Sequence, residues 1–350
     1  MKSKTIVSIA LFSLALLTAT AQVDSLKRPA FSEIQTVFQQ LQHYQQLVIK
    51  TNLDSLAQKK YKESIHEAHL LAFGENQPTL KLPIRIEARG KFRRKICDIP
   101  PIKLNFSKID LEKQGIYPKY DKLKLVTFCL LEEEQETQQT LLKEYWTYKM
   151  YNQLTSNSFK VHLVDMVYVH SGDPGRKIKS QAFVIESPDE LAHRLDGEIV
   201  EESGNTQADF EEESYLTVAL FNYMIGNTDW DIKIQKNVKF LKPTANEQLI
   251  LLPYDFDFSA LTNASYLRLT PVDGTLPNEK NRVLIGNISD EILLEKIITR
   301  FLELNKEGFW KFEKSERLSD TTKEEMRLYL QSFFQLLKKE KKWRKAFLAE

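Results

Sequence analysis

Apolar residues fall into two textures along this chain, and the change comes near residue 80. Between 22 and 78, Phe31, Ile34, Val37, Phe38, Leu41 and Tyr44 recur at threes and fours, and Leu53, Leu56, Tyr61, Ile65 and Leu70 continue the pattern. That spacing predicts a helical N-terminal extension over 22–79. Beyond it the period shortens to two. The segments 82–89, 102–106 and 123–128 alternate as strands do. A helix over 136–154 interrupts them, with Leu141, Leu142, Tyr145, Tyr148, Tyr151 and Leu154 on one stripe. Strands over 160–170 and 179–186 follow, separated by the turn Ser171-Gly172-Asp173-Pro174-Gly175.

After residue 187 the texture is mainly helical. Ser187-Pro188-Asp189 starts a helix with proline at its first position, which puts a boundary between two lobes at 187–190. Leu216, Leu220, Tyr223 and Met224 form a helix face ending at Gly226, a residue suited to a left-handed cap. The acidic stretch 198–213 reads as a mobile loop, and 237–241 with 248–252 as a short hairpin. Thr321 and Glu324 form a capping box for a helix carrying Met326, Leu330, Phe333, Phe334 and Leu337. The expected fold is α+β, with an antiparallel β lobe over 80–188 and a mainly helical lobe over 189–350.

Composition changes the picture at the N-terminus. Met1-Lys2-Ser3-Lys4, the apolar run Ile6 to Leu17 and the small residues Ala19-Thr20-Ala21 read as a signal peptide over 1–21. The run is too short to span a bilayer, and no later stretch reaches about 18 consecutive apolar residues, so a soluble exported protein, periplasmic or extracellular, is expected. The chain has 49 Lys and Arg against 48 Asp and Glu. This interspersed balance lacks the basic footprint of a nucleic-acid binder; the run from Lys338 to Lys345 reads as the solvated end of a terminal helix. Cys97 and Cys129 either bridge, as an oxidising compartment allows, or stay buried thiols.

Chemistry concentrates in Gly226-Asn227-Thr228-Asp229-Trp230-Asp231, then Asn237, then Pro253-Tyr254-Asp255-Phe256-Asp257. Two clusters of hard oxygen donors about 26 residues apart, one after a helix and one after an apolar strand, are the layout of a phosphotransfer site. Asp231 reads as a turn former, and Asn222 and Asn227 as structural. Asp257 is either a second metal ligand or a partner orienting Asp255.

The pattern G-N-x-D, an Asn eight residues on, and then hydrophobic-Pro-aromatic-Asp-x-Asp resembles the CotH kinase family, a group of secreted atypical kinases. The resemblance is strongest over 215–263. It implies a two-lobed kinase-like fold, ATP, and Mg²⁺ or Mn²⁺ held by Asn237, Asp255 and Asp257. Asp229 would deprotonate a hydroxyl acceptor, a Ser or Thr of an exported protein. In the smaller lobe, Arg89-Gly90 followed by Arg93-Arg94-Lys95 and the strand carrying Lys103 are similar to the family's phosphate-covering segment. Lys103, or Lys95 in its place, would be positioned by Glu144, and backbone groups near Glu186, at the end of the strand leading into the connection between lobes, would contact adenine. A kinase-like binding module without catalysis is the main rival. The DxD pattern also suits a haloacid-dehalogenase phosphatase or a glycosyltransferase, but Pro253 breaks the strand and no alternating β and α units follow.

Overall fold

The computed structural model describes residues 28–58, 64–90, 92–264 and 282–348; the expected signal peptide lies outside them. Seven strands, β1 (Gln46–Thr51), β2 (Ile65–Phe73), β3 (Leu80–Ala88), β4 (Ile102–Phe106), β5 (Lys122–Thr127), β6 (Val161–His170) and β7 (Asp173–Ile185), close into a barrel in the order β1-β2-β3-β4-β5-β7-β6. Neighbours run antiparallel except β1 and β6, whose parallel pairing from Gln46 opposite Asp165 to Thr51 opposite His170 closes the ring. Leu47, Ile49, Leu82, Ile86, Leu104, Leu125, Val164 and Val184 fill the interior. Each such buried aliphatic side chain stabilises the fold by about 1.5–3 kcal/mol.

The expected helical extension is corrected here. Residues 37–41 and 53–58 form the short helices α1 (Val37–Leu41) and α2 (Leu53–Gln58), but β1 and β2 are barrel strands. The physical signal was period two: His66, Ala68, Leu70 and Ala72 point inward while Ile65 faces solvent. The expected open antiparallel sheet is likewise a closed barrel, because these two strands cover both of its edges. Two short helices, α3 (Arg93–Ile96) and α4 (Lys108–Lys113), sit in the loops on either side of β4.

A second core begins on the barrel's outer wall. The long helix α5 (Glu134–Leu154) packs Leu141, Leu142, Tyr148 and Tyr151 with Val126, Val161, Phe183 and Ile185. That same core continues into α6 (Pro188–Arg194), α7 (Glu212–Ile225), α8 (Glu291–Glu307), α9 (Asp320–Leu337) and α10 (Glu340–Phe347). A three-stranded sheet of β8 (Gly197–Val200), β9 (Val238–Pro243) and β10 (Ile250–Pro253) stands beside α7 in the order β10-β9-β8. The start of the expected acidic loop is therefore a strand, since Ile199 and Val200 pair with Leu241 and Phe240.

Two further details differ from expectation or decide it. The cap of α9 is Ser319, whose Oγ accepts from the Thr322 amide at 3.1 Å, rather than Thr321. Cys97 and Cys129 are bridged, with Cα atoms 4.4 Å apart. No helix among the described residues is long and apolar enough to cross a membrane.

Candidate active site

The first half of the site hangs from the C-terminus of α7. Gly226 ends that helix at φ 64°, and a Cβ there would lie 2.1 Å from the Tyr329 hydroxyl oxygen, so the left-handed turn excludes a side chain on two counts. Asn227 is buried; its Nδ2 donates to Asn222 Oδ1 at 3.0 Å and its Oδ1 accepts from the Asp229 amide at 3.0 Å. Trp230 is buried on the other side of Asp229. Held between these anchors, Asp229 Oδ2 accepts from Asn237 Nδ2 at 2.7 Å, and its Oδ1 pairs with Lys236 Nζ. Asn237 Nδ2 also donates to the Asp229 carbonyl at 2.6 Å. Asp231 is a turn former, accepting from the amides of Lys233 and Ile234.

The second half follows β10. Pairing of Pro253 with Val238 brings the two motifs together, and the Tyr254 amide donates to the Asn237 carbonyl at 3.1 Å. Asn237 and Asp255 both adopt left-handed backbone, at φ 52° and 64°. Non-glycine residues there cost of order 1 kcal/mol or more, and such strain gathers at functional sites. The Asp255 amide donates to the Tyr148 hydroxyl at 2.8 Å, and the Tyr148 ring meets Phe256 edge-on with centroids 4.7 Å apart. Helix α5 thus braces the Asp255 segment. Asp257 is buried.

Arg89, Asp229, Asn237, Asp255 and Asp257 line one cleft of about 700 Å³ between the barrel and the helical region. Three expected residues do not line it. Lys103 pairs with Glu87 at 2.9 Å, its partner across β3 and β4, instead of with Glu144. Glu144 lies buried on α5, 3.7 Å from Arg93. Burial raises its pKa well above the usual carboxylate value, Asp257 and Asp255 push it further, and Arg93 opposes them. Glu186 forms a two-point ion pair with Arg194, at 2.8 and 2.9 Å, and its amide donates to the Lys160 carbonyl. Its carboxylate and N–H are committed to neighbours.

Sequence reading missed Lys124 and Lys236, and placed Arg93 only in the basic run that follows Gly90. Lys124 lies on β5, the strand leading into α5, directly opposite Lys103 on β4. Its residue surface is only partly covered, yet its ammonium is enclosed, 4.6 Å from the centre of the Tyr254 ring. Burial, aided by Arg89, lowers its pKa to about 7, and Asp255 works the other way. Lys236 immediately precedes Asn237, so its position was a legible signal. That of Lys124 depended on knowing which strand abuts α5.

The donor set suits a hard cation. Both N–H-donated contacts of Asn237 leave its Oδ1 as the ligating atom, and Asp255 and Asp257 add carboxylates. Among the described residues no three His, Cys, Asp or Glu side chains group to hold a metal unaided. Magnesium is characteristically bound through one or two carboxylates together with substrate phosphates, which this amide and carboxylate set fits.

No family model and no curated protein matches the chain. Among solved structures it is similar to the crystal structure of a Helicobacter pylori proinflammatory kinase, CtkA, with 10% identity and a TM-score of 0.39, over 67% of this chain and 90% of that one.

Proposed function

We propose that this chain is an exported, CotH-like phosphotransferase that moves the γ-phosphoryl group of ATP to a hydroxyl, with Ser or Thr of an exported protein as acceptor. The observation that carries this reading is the pairing of Asp229 with Asn237 opposite Asp255 in one cleft, with both Asn237 and Asp255 in left-handed backbone. Asp229, fixed by Asn227 and Asn237, takes the acceptor proton. Lys124 and Arg89 supply positive charge to the phosphates from the barrel side, the part first assigned to Lys103. Asn237, Asp255 and Asp257 would hold Mg²⁺ or Mn²⁺, which when bound neutralises phosphate charge. Export rests on Met1 to Ala21, and the Cys97–Cys129 bridge suits an oxidising compartment.

The Lys236–Asp229 ion pair favours a second reading, a nucleotide-binding module without transfer, because it occupies the proposed base. One set of measurements separates the two. Thermal-shift titration of the full chain should show ATP stabilising it only with divalent metal. Asp255→Ala should abolish that stabilisation. Asp229→Ala should keep it while lowering transfer by roughly a hundredfold to ten-thousandfold. Metal-dependent binding with no transfer to any hydroxyl acceptor selects the module; no metal-dependent binding removes both readings.

A further inference from the structure

The Cys97–Cys129 bridge joins the end of α3 to the chain two residues past β5, and both sulfurs are buried. Phe92, Ile96 and Phe258 pack around it, with the rings of Phe92 and Phe258 edge-on at 5.7 Å. Phe258 directly follows Asp257, so this small cluster touches the acidic segment of the cleft. Backbone contacts reinforce the join: the Asp98 amide donates to the Cys129 carbonyl at 2.9 Å, and Asp98 Oδ2 accepts from the Leu131 amide at 2.9 Å. The short α3 segment between β3 and β4 is therefore fixed to β5 and to the Asp257 segment together.

Arg93 is what this segment carries into the cleft. Its Nη2 donates to the Thr127 carbonyl at the end of β5 at 2.5 Å, its Nη1 lies 3.7 Å from Glu144 Oε2, and the residue lines the cleft wall. A guanidinium is planar, permanently charged and able to bridge several oxygens, whereas an ammonium of similar reach cannot span the same points. Glu144 lies buried close to Asp255 and Asp257, and Arg93 sets a positive charge against that acidic group.

We propose that Arg93 is a positioning residue of the nucleotide site. It fixes Glu144 and the end of β5 against α3 and adds a preset positive charge to the phosphate wall, and the Cys97–Cys129 bridge keeps it there. This rests on the phosphotransfer reading above. It gives the bridge a part in binding as well as in folding.

The test compares Mg²⁺-ATP affinity, by calorimetry, and thermal midpoint for the full chain and five variants. Arg93→Met should weaken affinity roughly tenfold to a hundredfold, the usual range for losing a charged hydrogen-bonding partner. Arg93→Lys should recover only part of that loss. Arg93→Met with Glu144→Gln should recover the thermal midpoint, since the acid that lost its partner is replaced as well, but not the affinity. Cys97→Ala with Cys129→Ala should also weaken binding, and adding Arg93→Met to it should cost less than the product of the separate losses. Unchanged affinity in Arg93→Met, or affinity returning with the midpoint in the Glu144→Gln pair, overturns the assignment. Unchanged affinity without the bridge, or fully multiplicative losses, overturns the role given to the bridge. A parent chain that does not bind Mg²⁺-ATP removes the phosphotransfer reading, and this inference with it.

Discussion

The barrel interior and the cleft beside it are built from the same strands and obey opposite rules. Inside, Ile102, Leu104 and Phe106 of β4 face Leu123 and Leu125 of β5. Beside the barrel, Asp229, Asp255 and Asp257 line the cleft with Arg89 and Arg93, and Lys124 on the outer face of β5 lies 4.6 Å from the centre of the Tyr254 ring that lines it too. The first region is mostly apolar and regular. The second holds a buried acid and three side-chain-bearing residues in left-handed backbone, Gln235, Asn237 and Asp255, with an enclosed lysine beside them. Violations of this kind, gathered in one place and supported by a well-packed neighbour, are the usual mark of a site rather than of poor folding.

Three measurements test that contrast. Leu104→Ala, at a fully buried barrel position, should lower unfolding free energy by about 2–5 kcal/mol in denaturant titrations. Its Mg²⁺-ATP affinity should stay near that of the parent; a large loss of affinity would mean that the two regions are not separable. Lys124→Met should do the reverse, weakening nucleotide binding by about tenfold or more while leaving the nucleotide-free midpoint at pH 7 unchanged or higher, because an enclosed cation is removed. A lower midpoint with normal affinity would return Lys124 to a structural role.

The third measurement concerns the connection between the regions. Glu190 on α6 is buried and accepts from the Thr36 hydroxyl at 2.5 Å, and burial raises its pKa from the ordinary 4.5 to about 8. The folded chain therefore keeps a proton that the unfolded chain loses between those values. Stability contributed by this group is full below about 4.5 and declines as pH rises toward 8. Glu190→Gln, neutral throughout, should flatten that decline in midpoints measured from pH 5 to 8. An unchanged slope would show that Glu190 ionises normally in the folded chain.

The strands β3 to β7, helix α5 and the hairpin of β9 and β10 were legible because each is written in one local stretch of alternation or helical spacing. Asp229, Asn237 and Asp255 were legible for a similar reason: two short motifs at fixed spacing named them before their meeting in space was visible. What failed was non-local. Leu47 and Ile49, like Ala68, Leu70 and Ala72, fit period two, but isolated apolar residues around them also fit threes and fours, and only pairing with β6 and β3 decides. Lys103 and Lys124 are equivalent in sequence texture; their roles diverge because β5, not β4, runs beside α5. The cysteine bridge could not be chosen over two thiols until β5 and α3 were placed together.

The parallel pairing of β1 with β6 has a consequence for how copies of this chain meet. Ring closure leaves the barrel without an edge strand, and its unpaired backbone is limited to stretches such as Asp173 to Gln181 of β7, which pair with β6 beyond the reach of β5. In the smaller sheet, by contrast, β8 and β10 stand at the outside, and β10 ends at a proline that has no amide hydrogen to give. Both outer strands of the small sheet are four residues long, so β8, which ends in no proline, is the better template of the two for an added strand.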